Sequence, residues 1–298
     1  MYKYKAANKN IEISNPDKVL FPDIGFTKSD LVEYYTGISA CMLRHLKQRP
    51  VNMKRAPDGT KGGSFYQQSA GNYFPSWVET VEVAKSDGSL ITHVVCDDKK
   101  TLAVMANLAC ITIHIWLSRT SSLENPDKII FDLDPPEGKG FRLVNFGAQK
   151  IREYFEARSI KSFVMTTGSK GLHVAIPIKP ENGFDRVREY AKNIGRELSD
   201  RYPDKLTTRQ QKDKRQGRLF MDYMRNSYGM TSVCPYSIRL LEGAPVAAPL
   251  DWDELEDSDL SARSWTVSNI FKRLGQREDP WKDIYRHRIS IEKYMQEY

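Results

Sequence analysis

Between residues 126 and 226 two hydrophobic periods alternate along the chain. KIIFDLD (128–134), KSFVMTT (161–167), LHVAIPI (172–178) and GRLFMDYM (217–224) read as strands. FRLVNFGAQKIREYFEARS (141–159) and FDRVREYAKNIGRELSDRY (184–202) carry the wider spacing of amphipathic helices. The order β-α-β-β-α-β predicts an α+β fold of the split-βαβ, RNA-recognition-like type. Its four-stranded sheet has two helices on one face, and the other face is expected to be open for chemistry or ligand.

The first 125 residues read as an α/β layer packed against that core. Thr27 is placed to cap a helix over TKSDLVEYYTGISACMLRHL (27–46), with Asp30 in its first turn. RPVNMKR (49–55) reads as a strand, APDGTKGG (56–63) as a loop, DDKKTLAVMANLA (97–109) as a helix, and ITIHIWL (111–117) as a strand. In that last strand Ile111, Ile113 and Ile115 share one face, and Thr112, His114 and Trp116 the other. The last third is less regular. PYSIRLLEGAPVAAPLDWDEL (235–255) has the Pro and Gly density of an extended surface segment, and SWTVSNIFKRLG (264–275) that of a closing helix. We expect one domain over 1–298, divided into an N-terminal part (1–125) and a catalytic core with a C-terminal segment (126–298).

Composition adds limits. A length of 298 residues supplies an ample core, and no apolar run approaches a membrane span. With no apolar leader in MYKYKAANKN, the expected location is cytoplasmic. The four cysteines (Cys41, Cys96, Cys110, Cys234) lack metal-ligand spacing and read as small hydrophobes. The formal charge of +7 is concentrated in KRAPDGTK (54–61) and TTRQQKDKRQGR (207–218), which makes a polyanionic partner plausible.

The candidate chemistry begins at FDLDPP. Asp132 and Asp134, two residues apart on a strand, project from one face and repel unless a cation lies between them. Alternatively they cap the turn at Pro135-Pro136. Asp222, expected mid-strand in the neighbouring strand, raises the count to three and suggests a two-metal site; the plainer reading pairs it with a nearby arginine. In TTGSKGLH, Gly168 and Gly171 permit a tight turn from which Ser169 and Lys170 can approach phosphates, with His173 on the next strand. The same residues also suit a plain solvated hairpin. Lys54 and Arg239 are candidate counter-charges for a triphosphate, or taken singly plain surface charges. Phe65 and Tyr66 suit base stacking or core packing, and His114 suits a ligand or a core contact.

Taken in order, FDLDPP, TTGSKGLHVAIPI, RLFMDYMRN and CPYSIRLLEGAPVAAPLDWDEL resemble the polymerase domain of bacterial DNA ligase D, in the archaeo-eukaryotic primase superfamily. The opening NPDKVLFPDIGFTKSDLVEYY and the RPVNMKRAPDG and SFYQ segments extend the resemblance over most of the chain. The resemblance implies template-dependent gap filling and end extension in non-homologous end joining, with ribonucleotides preferred and two Mn²⁺ or Mg²⁺ ions. It makes Asp132, Asp134 and Asp222 the metal ligands and catalytic residues. It assigns Lys54, Phe65, Tyr66, His114, Ser169, Lys170, Gly171, His173 and Arg239 to the nucleotide, Lys18 and Lys28 to a DNA 5′-phosphate, and Arg215 and Arg218 to DNA. Nucleoside triphosphates and gapped duplex DNA ends with a 5′-phosphate would be its substrates, with Ku and a separate DNA ligase as partners and a nucleoid-associated place in the cytoplasm. The Lys-x-Asp-Gly signature of an adenylating ligase is absent, since KRAPDG has the wrong spacing. The chain is therefore either a free-standing polymerase, which the Met1 start favours, or a domain of something longer. A primase-polymerase of replication or damage tolerance, a metal-dependent nuclease and a non-catalytic nucleic-acid binder are the competing readings.

Overall fold

The structure, a computed structural model, describes residues 2–6, 9–85, 87–138 and 140–296. The chain divides into two compact units, and the division differs from the expected one at residue 125. Unit one gathers Met1–Trp116, Val233–Ala247 and Trp265–Arg277; unit two gathers Leu117–Ser232, Ala248–Ser264 and Glu278–Tyr298. The C-terminal segment thus serves both. Among the described residues no helix is long and apolar enough to cross a membrane.

Unit two contains the anticipated split-βαβ sheet. Its central strands run Leu219–Asp222, Lys128–Asp134, Leu172–Pro177, Phe163–Thr166, all antiparallel to their neighbours. Leu206–Thr207 adds to one edge in parallel, and Pro249–Leu250 to the other in antiparallel. Helices Phe141–Glu156 and Phe184–Arg201 pack on one face, where the Phe131 and Phe155 rings lie 6.3 Å apart. Alternation puts Ile129, Phe131 and Leu133 on the helix side and leaves Ile130, Asp132 and Asp134 on the other. That second face is not open along its length, as the pattern led us to expect: Ile130 and Asp132 are buried, and only Asp134 at the strand end is half-exposed.

In unit one, strand Pro50–Arg55 is central. It pairs with Cys110–Trp116 on one edge; on the other, Pro50 and Val51 pair with Leu90–Val95, and Met53–Arg55 with Phe65–Gln67. Leu90–Val95 continues into a hairpin with Thr80–Ala84. Both faces of Cys110–Trp116 are covered, since Thr112 and Trp116 are as inaccessible as the isoleucines. The expected helix over 27–46 forms as two, Lys28–Gly37 and Ser39–Leu46, with Ile38 ending one and starting the next. Thr27 does cap the first: its side chain accepts from the Asp30 N–H, and the Asp30 carboxylate accepts from the Thr27 N–H at 2.7 Å.

The C-terminal segment departs most from expectation. Pro235–Ile238 and Ala244–Leu250 are buried rather than on the surface. In unit one the Tyr34 hydroxyl donates to the Tyr236 carbonyl at 2.8 Å, and the Ile113 N–H donates to Ser237 Oγ at 2.8 Å. These bonds satisfy backbone and hydroxyl groups that an irregular segment could otherwise bury only at a cost. The closing helix is shorter than anticipated, Ile270–Gln276, because the preceding residues form a turn over Thr266–Asn269.

Candidate active site

Adjacent strands of unit two bring the three aspartates onto one face. Asp132 and Asp222 are direct cross-strand partners, and on its other side Asp132 is opposite His173. Asp222, Asp132 and His173 therefore form a row across three strands, with Asp134 two residues along. Asp222 ends its strand instead of lying mid-strand: its Oδ1 accepts the Met224 N–H at 2.7 Å and turns the chain into the short helical turn Met224–Asn226.

That turn delivers two residues absent from the predicted set. Arg225 places Nε 3.0 Å from Asp132 Oδ2 and 3.9 Å from Asp222 Oδ2. This guanidinium is the opposite charge that the aspartate pair calls for, and it brings about the arginine pairing considered as the plainer reading of Asp222. Asn226, fully buried, accepts the Ile130 N–H through Oδ1 and donates through Nδ2 to the Ile130 carbonyl. Its side chain acts as a substitute strand partner, pairing Lys128–Asp134 past the point where Leu219–Asp222 ends.

The electrostatics follow from this row. Burial pushes the Asp132 carboxyl upward, but His173, whose Nε2 lies 3.4 Å from Asp132 Oδ1, and Arg225 outweigh it and hold it well below the usual carboxylate range. Asp134 is raised, first by burial and then by Asp132 and Asp222. Asp222 is also raised, chiefly by burial, with the Met224 N–H opposing. Arg225 stays protonated because Asp132 overcomes its own desolvation. Among the described residues no three His, Cys, Asp or Glu side chains stand gathered as a ready metal-binding group. The donors nevertheless fit a hard divalent ion: they are carboxylate oxygens on paired strands, and they repel one another.

The Thr167–Gly171 turn closes beside the Asp132 strand. The Thr167 hydroxyl donates to the Gly171 carbonyl and accepts from the Ser169 and Gly171 N–H groups. A Cβ on Gly171 would lie 1.9 Å from the Leu133 carbonyl oxygen, so the turn rests directly on the strand between the two aspartates. Lys170 projects into solvent and Ser169 is half-exposed, its carbonyl accepting from Arg263 Nε at 3.0 Å. Arg215 and Arg218 lie in the basic loop and donate to its own carbonyls, including those of Arg209, Gln210 and Lys214. The Arg215 guanidinium also stacks 3.7 Å from the Phe220 ring centre.

Unit one assembles the remaining candidates in two groups. Tyr66 is opposite Lys54 and His114 opposite Asn52; the Tyr66 ring meets His114 edge-on at 5.8 Å and takes the Lys54 ammonium at 5.7 Å. Burial, and after it Arg239, lowers the Lys54 amine. Phe65 and Tyr66 are 48% and 62% exposed, so neither is packed into the core. In the second group Lys28 is buried and donates to Ser14 Oγ at 3.0 Å, while Lys18 is paired with Asp58 at 2.6 Å. Burial lowers the Lys28 amine, with Lys18 and Arg55 adding to the effect.

A split-βαβ sheet carrying this acidic row is that of a polymerase-type nucleotidyltransferase. The chain belongs to the family described as LigD, primase-polymerase domain, which it matches over residues 27–281. It is 30% identical over 290 residues to the multifunctional non-homologous end joining protein LigD of Pseudomonas aeruginosa, covering 96% of this chain and 34% of that protein. It is 30% identical over 284 residues to the bifunctional non-homologous end joining protein LigD of Bacillus subtilis, covering 95% of this chain and 45% of that protein. The polymerase domain from Mycobacterium tuberculosis Ligase D in complex with DNA matches with a TM-score of 0.87 and 29% identity, over 93% of this chain and 98% of that one. The chain thus spans less than half the length of these curated relatives.

Proposed function

We propose that this domain fills gaps and extends ends at DNA double-strand breaks in non-homologous end joining, with ribonucleotides preferred. The observation that carries the reading is the direct pairing of Asp132 with Asp222 on neighbouring strands, with Asp134 on the same face. Asp132, Asp134 and Asp222 hold two Mn²⁺ or Mg²⁺ ions. Bound there, such ions supply Lewis-acid stabilisation of the charge that develops in phosphoryl transfer. His173, Ser169 and Lys170 face triphosphate oxygens, and Gly171 sets the turn that presents them. Lys54, His114 and Arg239 are further phosphate-facing groups, and Phe65 and Tyr66 stack on bases. Lys18 and Lys28 recognise a 5′-phosphate; Arg215 and Arg218 lie against the DNA backbone. Ku and a separate DNA ligase are the expected partners at the break, in the cytoplasm at the nucleoid. Because recognition rests on phosphate contacts and stacking, binding is salt-sensitive and nearly independent of sequence.

Primer extension on a gapped duplex tests the assignment. Asp132→Ala and Asp222→Ala are expected to keep the fold and DNA binding and to lose incorporation; full activity in either rejects the metal-ligand roles. Extension on gaps with and without a 5′-phosphate tests the end-joining role. Equal rates on the two substrates would leave Lys18 and Lys28 without their assigned ligand.

A further inference from the structure

We infer that Arg225 is a built-in cation of the acidic row, holding between Asp132 and Asp222 the charge position that a divalent ion takes over, so that metal binding displaces it. The inference rests on the metal-ligand reading proposed above. Two carboxylates directly opposite on paired strands repel each other, and a positive charge beside them relieves that repulsion. Arg225 supplies that charge, its Nε lying 3.0 Å from Asp132 Oδ2 and 3.9 Å from Asp222 Oδ2. A divalent ion on the same two oxygens would stand within a few ångströms of a like charge, in a buried setting where screening is weak (on the order of 4 Å or less is ample for strong repulsion). Guanidinium and ion are therefore alternatives at this position.

The surroundings give Arg225 a way out and the carboxylates none. The Asp132 side chain is 8% exposed and that of Asp222 15%, whereas that of Arg225 is 35% exposed. Both aspartates are fixed by strand pairing, and Asp222 also by the Met224 N–H. Arg225 sits on a three-residue turn anchored by its neighbour Asn226, so its side chain can swing to solvent while the backbone stays in place. The consequence is an acidic row whose charge is partly balanced by Arg225 when empty, so that ion uptake must displace that guanidinium.

Mn²⁺ binding to the chelator-stripped full chain, followed by electron paramagnetic resonance, tests this without an activity readout. Arg225→Gln is expected to bind Mn²⁺ about tenfold more tightly than the parent, the scale of one charged hydrogen bond, while Arg225→Lys stays near the parent. Metal-free Arg225→Gln should melt below the parent, with the gap closing as Mn²⁺ is added. On the parent itself, the Arg225 Nε–H resonance should shift and lose its protection from exchange when Mg²⁺ is added, a result that does not depend on any variant folding. Equal or weaker Mn²⁺ binding by Arg225→Gln, or an unmoved Arg225 resonance at saturating Mg²⁺, overturns the inference alone. A parent that takes up no Mn²⁺ overturns it together with the metal-ligand reading.

Discussion

Gly171→Ala is the sharpest single test of how the fold positions the site. Replacing glycine by alanine where space and backbone allow stabilises a protein by about 0.4–1 kcal/mol, because the unfolded chain loses freedom. Here there is no space. The added Cβ would sit 1.9 Å from the Leu133 carbonyl oxygen, against about 3.4 Å for ordinary contact, so turn or strand must yield by 3.4 − 1.9, about 1.5 Å. The obstacle is backbone, so no rotamer change relieves it, and Leu133 lies between the two aspartates. Overpacking of this kind costs about 2 kcal/mol or more, which lowers the melting midpoint by roughly 4–8 °C. A displacement of about 1 Å near reacting groups can slow turnover about a hundredfold. Gly140→Ala is the control, because a Cβ there meets nothing within 4 Å and the backbone is extended. Melting curves and single-nucleotide extension on the two variants decide the matter. Parental stability and rate in Gly171→Ala would refute the argument that the turn is seated on the Asp132 strand.

Asn226→Ala removes both side-chain bonds to Ile130 and should destabilise by about 2–4 kcal/mol, measured by denaturant unfolding; a loss below about 1 kcal/mol would mean that the strand does not need this partner. Asp134→Asn should raise the melting midpoint of metal-free protein at pH 7. The folded-state pKa of Asp134 is raised, so its contribution to stability is full below the ordinary carboxylate value of about 3.9 and is lost as pH rises through the folded value. The gain from the asparagine must therefore vanish in acid, and an equal gain at pH 7 and below that value would contradict the sign. Thr27→Ala breaks the capping box and should cost about 1 kcal/mol; through Lys28, the next residue, it should also weaken discrimination for a gap 5′-phosphate, read as the ratio of extension rates.

Much of unit two was legible because its strands and helices carry distinct periods, and the split-βαβ order alone places the Asp222 strand beside the Asp132 strand. Arg225 and Asn226 were not, although both stand in the quoted RLFMDYMRN. They lie on a three-residue turn past the strand end, where no periodicity indicates which way a side chain points. The hairpin Thr80–Ala84 and Leu90–Val95 went unpredicted, although Val81 and Val83 alternate with polar neighbours and Asp87-Gly88 is a turn signal. Pro and Gly in 235–255 suggested exposure, but the small apolar run from Ala244 to Leu250 packs inside, where the Ala248 N–H donates to the Thr166 hydroxyl, and the buried Tyr236 carbonyl accepts from the distant Tyr34 hydroxyl. Such long-range bonds leave no local trace.

The shared C-terminal segment also constrains the order of events during synthesis. Residues 233–247 and 265–277 complete one unit, and 248–264 and 278–298 complete the other. A nascent chain paused near residue 232 has finished neither, however much local structure it has gained. Unit one cannot close before residue 277 has been made, nor unit two before the segment from 278 has followed, so one cut between residues 233 and 264 would sever the chain of both.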